Sequence, residues 1–311
     1  MSRVKQPHPF LVPVLLTLIQ VLFGIGYVVS KVLVDAFPPL LWASVRLIIA
    51  AAVMVGITLA MKRPHPKRGR KFFSALSLMT FALMGIVINQ AAFLLGLHYT
   101  TPANSAILNT LTPVFTLMIV TLRGQEKFDL RKGFGFLCAF SGVLVLRKIE
   151  NFSFSDKTAI GDMLVLLNCI SFSLFITFSK SFVEKYDPFW TTAWLFVYGA
   201  IGMTVLAIPD WIRFQWPTMT PLLWACAFYA IVCGTLLTYY LNNWTLKHAH
   251  SSQVALFIYL QPVITMVIAY FWLGEKVTLR TSVSCVVIFI GLLIAISNRP
   301  KTTVLQKANE L

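Results

Sequence analysis

The sequence predicts an all-α, multi-span membrane protein: ten transmembrane helices arranged as two inverted five-helix repeats. Three observations carry that expectation. Of the 311 residues, 58% are hydrophobic and 12% charged, about half the charge of an average soluble domain, and mean hydropathy is +0.77. The charges gather in short basic clusters, separated by apolar runs of the ~20 residues a helix needs to cross about 30 Å of hydrocarbon. Finally, the chain resembles itself at a single offset of 149 residues, with Phe23 on Phe172 and Pro39 on Pro188.

The apolar runs place helices at 11–34, 39–61, 72–97, 103–122, 133–147, 160–183, 189–208, 222–245, 252–273 and 280–298. Backbone groups in lipid must pair within their own segment, and these runs are too long and continuous for barrel strands. Stops lie between them, at Phe37-Pro38-Pro39, at Asp187-Pro188 and at Pro217 with Pro221, where proline ends or opens a helix. The first run lacks a small-residue cleavage site behind a short apolar core, so it is expected to stay as a span. The repeats then occupy 11–147 and 160–298, followed by a tail at 299–311.

Cytoplasmic loops are enriched in Lys and Arg. With the N-terminus inside, 17 of the 26 basic residues fall in cytoplasmic segments, 6 on the other side, and Lys31, Arg46 and Lys180 within spans. Both termini are therefore expected in the cytoplasm. The net charge of +15 does not point to nucleic acid, because the basic residues cluster between spans and form no aromatic-interleaved patch. The five cysteines are odd in number, lie inside apolar runs and show no CxxC spacing, which argues for packing over disulfides or metal.

The repeat runs without a gap. Ser30-Lys31 falls on Ser179-Lys180, Ala106 on Ala255, Leu111 on Leu260, Pro113-Val114 on Pro262-Val263, Glu126-Lys127 on Glu275-Lys276, Arg131 on Arg280 and Gly142 on Gly291. Five helices per copy is odd, so the second copy enters from the opposite face. That is the architecture of many secondary transporters, whose site lies near the midplane between the halves. A duplicated membrane scaffold or sensor would share the repeat without transporting anything.

On these residues the chain resembles paired EamA domains of the drug/metabolite transporter superfamily over 11–297. Each EamA-type domain carries a Lys late in its first helix, then Pro and an aromatic: here Lys31, Pro39 and Trp42, and again Lys180, Pro188 and Trp190. The Thr-Pro kink and Gly-Glu segment appear as Thr112-Pro113 with Gln125-Glu126, and as Gln261-Pro262 with Leu273-Gly274-Glu275. The Arg often seen in the second helix is Arg46, whose counterpart is Leu195, and Gly124-Gln125-Glu126 departs by one residue from Gly-Glu. The resemblance implies a secondary exporter of amino acids or other small metabolites, with nucleotide sugars carried in some branches.

Polar side chains in membrane helices face protein or a wet cavity. Thr17, Gln20, Gly24, Tyr27 and Lys31 share one face of the first helix, and Ser105, Asn109, Thr112 and Thr116 one face of the fourth. The matching ninth-helix positions are Val254, Ile258, Gln261 and Thr265; the sixth helix offers Cys169, Ser173, Thr177 and Lys180. Asn89-Gln90 map onto Thr238-Tyr239. A single Ser or Thr is accounted for by helix packing. Gln20, Asn109 and Gln261 each bring an amide with four hydrogen-bonding sites that apolar neighbours cannot fill. Pro113 removes the hydrogen bond to the Asn109 carbonyl, so kinks at Pro113 and Pro262 mark the expected centre of the site.

The candidate substrate contacts are therefore Gln20, Tyr27, Lys31, Asn89, Asn109, Thr112, Ser173, Lys180, Tyr239 and Gln261. Lys31 and Lys180 could draw an anionic group to the mouths of the pathway, or could simply snorkel to the interface. Arg46 is expected to pin the first two helices through backbone carbonyls, with contact to the substrate as the alternative. Asp162 lies at the edge of the sixth helix, and no deep acid is found in the first, third, fourth or ninth, so transport is expected to run as facilitated diffusion or exchange. There is no P-loop, HExxH or GxSxG, hence no expected enzyme activity, cofactor or metal. His8, His65, His98, His248 and His250 lie in or near loops. The expected partners are a small-molecule substrate and the lipid of the inner membrane, around a monomer.

Overall fold

The structure, a computed structural model, describes residues 10–62, 71–99, 108–126, 129–146, 159–261, 263–264 and 279–296. Among them every regular element is helical, and helix occupies most of the described part of each of the ten predicted segments. Among the described residues, five helices are long and apolar enough to span a membrane: Pro39–Ala60, Ala75–Tyr99, Ala159–Val183, Pro188–Leu206 and Pro221–His248. Shorter apolar stretches lie at Leu11–Gly26, Thr112–Leu122 and Ser282–Ala295.

Local chemistry sets the breaks. Helix α1 (Leu11–Ala36) stops at Phe37, which is extended because the following Pro38 disfavours the helical region. Pro39 then opens α2 (Pro39–Ala60) at the position where its missing N–H costs nothing. Helices α3 (Lys71–Ala82) and α4 (Asn89–Tyr99) are joined by a π turn, Leu83–Ile88. Helix α5 (Thr112–Leu122) begins with Thr112-Pro113, and Gly124, at φ +63°, takes the left-handed turn after it. Then come α6 (Leu130–Leu146) and α7 (Ala159–Phe178).

In the second half, Asp187 caps α8 (Pro188–Leu206), accepting from the backbone N–H of Phe189 and Trp190 at 3.0 and 3.2 Å. Thr220 caps α9 (Pro221–Ile231) in the same manner. A second π turn, Val232–Leu237, leads into α10 (Thr238–His248). Helix α11 (Ser251–Leu256) tightens into a 3₁₀ turn at Phe257–Tyr259, and α12 (Leu279–Ile296) closes the described chain.

Two continuous helices expected from the sequence, 103–122 and 252–273, are interrupted. The fourth breaks at Thr110-Leu111, just ahead of Pro113, and the ninth narrows to its 3₁₀ turn ahead of Pro262. Proline removes one ladder bond and crowds the carbonyl four residues back, so the break falls before the ring and not at it.

The two π turns are separated by the repeat offset: Leu83 to Val232, and Ile88 to Leu237, are each 149 apart. Packing obeys the same relation. Helix α2 lies on its counterpart α8, and α6 on its counterpart α12, while α1 packs on α10 as α7 packs on α4. At the α6–α12 crossing, Gly142 meets Ile288 and the Ser284 carbonyl, and Gly291 meets Ala139 and the Gly135 carbonyl. Adding 149 to Gly142 gives Gly291, and subtracting 149 from Ile288 and Ser284 gives Ala139 and Gly135. The halves are thus related by a pseudo-two-fold axis that passes through this crossing.

A Cβ on Gly291 would stand 2.7 Å from the Gly135 carbonyl oxygen, too close for either backbone to tolerate. Such small-residue crossings let membrane helices approach backbone to backbone. Gly291→Val is expected to force the helices apart and cost roughly 1–3 kcal/mol. Melting of the detergent-purified variant should be lower by several degrees; an unchanged midpoint would mean that the crossing is not tight.

Candidate functional site

A cavity of about 130 Å³ lies where the halves meet. Its wall combines the late part of α1 (Phe23, Gly26, Val29, Ser30), Arg46 of α2, and Asn89, Gln90, Phe93 and Leu94 of α4. Asn109 and Thr112 at the fourth-helix break, Asn168 and Phe172 of α7, Ala230, Gly234 and Tyr239, and Ile258 and Gln261 at the ninth-helix break complete it. Both proline-associated breaks therefore border the cavity. So does the second π turn, through Gly234, in keeping with the tendency of such turns to occur at functional sites.

Three polar chains line the wall. Arg46 Nη2 donates to Gln90 Oε1 at 2.7 Å, and Gln90 Nε2 donates to the Tyr239 hydroxyl at 2.6 Å. Gln90 and Tyr239 are repeat counterparts, so their bond straddles the pseudo-two-fold axis. Asn89 Nδ2 donates to Asn168 Oδ1 at 2.8 Å, and Asn168 Nδ2 to Asn109 Oδ1 at 3.4 Å. Gln261 Nε2 donates to Gln20 Oε1 at 2.8 Å, tying the ninth helix to the first. Phe23, Phe93 and Phe172 supply apolar faces between these chains.

Of the predicted contacts, Asn89, Asn109, Thr112, Tyr239 and Gln261 meet at this cavity, and Gln20 stands behind Gln261. Ser173 does not reach it: its Oγ lies 3.0 Å from the Thr112 carbonyl and 2.8 Å from that of Cys169, bracing the fourth-helix break from behind. Lys180 lies away from the cavity. Its ammonium donates to the carbonyls of Leu246 (3.0 Å) and Ala249 (2.5 Å) and pairs with Glu184 at 3.0 Å. The unpaired carbonyls at the end of α10 are a better site for a cation than an open mouth. The side chains of Tyr27 and Lys31, and Pro262 as a whole, lie outside the described residues.

Arg46 corrects a further expectation. It pins α2 to the Gln90 side chain of α4 in place of backbone carbonyls of the first helix, because that amide oxygen is the acceptor within reach. Asp162 sits in the first turn of α7, as expected, yet is wholly buried, since α7 packs closely on α4, where Gly96 abuts the Gly161 carbonyl and Val165. The sequence reading missed Asn168, whose amide inside an apolar helix was the available signal. It also missed the three phenylalanines, although Phe23 and Phe172 had already emerged as a repeat pair.

The end of the bundle that carries the 122–130, 179–187 and 247–252 connections is stitched shut. Glu126 accepts from Lys132 Nζ at 2.8 Å, from the Ser252 backbone N–H at 3.2 Å and from the Ser252 hydroxyl. Ser251 Oγ donates to the Ile176 carbonyl at 2.9 Å, Lys247 Nζ to that of Tyr186 at 3.1 Å, and Arg123 stacks 3.8 Å over the Phe178 ring. Burial pushes the Glu126 carboxyl upward, but the bonds from Lys132 and Ser252 outweigh it and hold the group below its ordinary range.

An all-helical membrane bundle of two related halves, with a mostly uncharged polar cavity between them and one end latched, defines a multi-span membrane protein of transporter architecture. The chain belongs to the EamA-like transporter family, which it matches over 11–148 and again over 159–297. Among its relatives, the uncharacterized transporter YyaM of Bacillus subtilis is 26% identical, covering 88% of this chain and 89% of its own. An uncharacterized transporter of Archaeoglobus fulgidus is also 26% identical, over 89% and 94%. A WAT1-related protein of Arabidopsis thaliana is 24% identical over 68% and 62%. A solved crystal structure shares the fold at a TM-score of 0.73 and 16% identity, covering 92% of this chain and 96% of that one.

Proposed function

We propose that this protein is a secondary transporter that moves small polar metabolites, amino acids or their derivatives, across the inner membrane by alternating access, as an exporter or facilitator. It acts as a monomer with both termini in the cytoplasm, and it neither hydrolyses ATP nor catalyses a reaction. The observation that carries this reading is the polar cavity on the pseudo-two-fold axis, between halves whose π turns and helix crossings coincide at one offset. Related halves can exchange conformations at little net cost, the usual basis of alternating access. The latched end carries Arg123, Lys132, Lys185 and Lys247, which supports reading it as the cytoplasmic end and the state as outward-facing.

No acidic side chain is found among the described cavity-lining residues, which supports facilitated diffusion or exchange over obligatory proton antiport. Counterflow of labelled amino acids into preloaded liposomes, with equal pH on both faces, tests both statements. Flux is expected to persist there, and an imposed pH gradient is expected not to concentrate a zwitterion. Several-fold accumulation that Asp162→Asn abolishes would make the mechanism proton-coupled. Folded protein with no flux across a broad metabolite panel, nucleotides and nucleotide sugars included, would leave a membrane scaffold or sensor.

A further inference from the structure

Arg46 is 6% exposed, and it is the one charged residue among the described residues lining the cavity. Its Nη2 is taken by Gln90, but its Nε is buried with no hydrogen-bond partner, and no carboxylate among the described residues pairs with it. A buried guanidinium left in this state is costly: buried charges are ordinarily paired, and each unsatisfied buried donor carries a desolvation penalty. Gln90, the partner it has, is neutral and already committed to Tyr239 on its other side. The repeat explains why the position is not a general scaffold requirement, since the equivalent residue in α8 is Leu195, fully buried in the core without any charge.

We infer that Arg46 is the anchor for the substrate's carboxylate, and that the cavity selects a monocarboxylate with a flat or branched apolar body. This rests on the reading of the cavity as the transport site, and it narrows the substrate class within that reading. The guanidinium offers a planar fork of donors that suits a carboxylate. One fixed positive charge matches one negative charge, so a dianionic phosphate would leave charge uncompensated and a cationic amine would be repelled. The size agrees. A cavity of about 130 Å³ is close to the ~150 Å³ of an engineered apolar cavity that takes up benzene, and here Phe23, Phe93 and Phe172 supply ring faces. Asn89, Asn109 and Gln261 remain within the same wall to read a polar substituent near the acid.

Titration calorimetry on the purified full chain, with phenylpyruvate, phenyl phosphate and phenethylamine as probes, tests the inference without any variant. Phenylpyruvate is expected to bind, phenyl phosphate more weakly and phenethylamine not at all. Arg46→Lys keeps the charge but loses the fork, and is expected to weaken phenylpyruvate by about tenfold or more; Arg46→Gln is expected to abolish its binding while the protein elutes as a folded, monodisperse species. Phenethylamine binding as tightly as phenylpyruvate, tighter binding of phenyl phosphate, no binding of phenylpyruvate by the wild type, or wild-type affinity in Arg46→Gln would each overturn it. A purely structural Arg46 would lower melting in both variants without changing the preference for acid over amine. Acid binding that depends on Arg46 but gives no flux in counterflow would defeat the transport reading alone. Flux of amines indifferent to Arg46 would defeat this inference alone.

Discussion

Gly26→Phe is expected to shut the cavity while leaving the fold intact. The reason is an asymmetry between the halves. In one half, the Phe175 ring lies over Gly85 of the first π turn, so close that a Cβ there would meet Cδ1 at 2.9 Å. The counterparts of Phe175 and Gly85, 149 residues away, are Gly26 and Gly234, and both line the cavity. A Cβ on Gly26 has nothing within 4 Å, and one on Gly234 meets only the Tyr229 carbonyl at 3.8 Å. The cavity thus occupies the place where one repeat has a ring and the other has none.

A phenylalanine at 26 would rebuild the Phe175 arrangement on the open side. Flux in liposomes should drop by at least ~100-fold, equivalent to more than about 2.7 kcal/mol on the transport barrier. Melting should hold or rise, since filling a cavity commonly adds about 0.5–2 kcal/mol. The opposite substitution, Phe175→Ala, should empty packed space beneath Gly85 and cost about 3–5 kcal/mol. Retained flux in a folded Gly26→Phe protein would show that substrate takes another route.

Glu126→Gln is expected to loosen the latched end. The carboxylate holds Lys132 and both donors of Ser252, and hydrogen bonds to a charged group contribute about 1.5–3 kcal/mol each. Because the folded-state pKa is depressed, the contribution is complete above the unfolded value of about 4.3 and is lost as pH falls through the lower folded value. A melting curve taken against pH should therefore show an acid-side decline in the wild type that is smaller in Glu126→Gln by this group's share. At neutral pH the variant should melt lower and should expose the Ser252 end to labelling, read as deuterium exchange of the Ser252 backbone amide in each background. Identical pH profiles, together with identical labelling, would remove the latch from the mechanism.

Much of the fold was legible because membrane physics writes itself into long, simple patterns. Apolar runs of spanning length, proline-bearing stops and one exact offset yield the helices and the relation between the halves with no knowledge of contacts. The same simplicity hides the site. Polar stripes name residues that face inward, but packing and cavity lining look alike at that level: Ser173 and Asn109 lie on equivalent faces, yet one braces a broken backbone and the other borders open space. Lys180 has the same ambiguity, and only the arrival of the α10 carbonyls at its ammonium resolves it.

The sequence by itself determined the class of molecule and the duplication, because hydropathy and repeat register act within one segment or between aligned segments. Tertiary structure alone decided where the empty space lies and which charge faces it. Those depend on the third dimension of side chains from α1, α2, α4, α7 and the second π turn meeting at one point. Whether Phe175 finds a ring-shaped gap at Gly85, and whether Arg46 finds a carboxylate, are properties of neighbours far apart in the chain. No periodicity records them, since the free energy of a cavity or an unpaired buried charge belongs to the assembled wall and to no single helix.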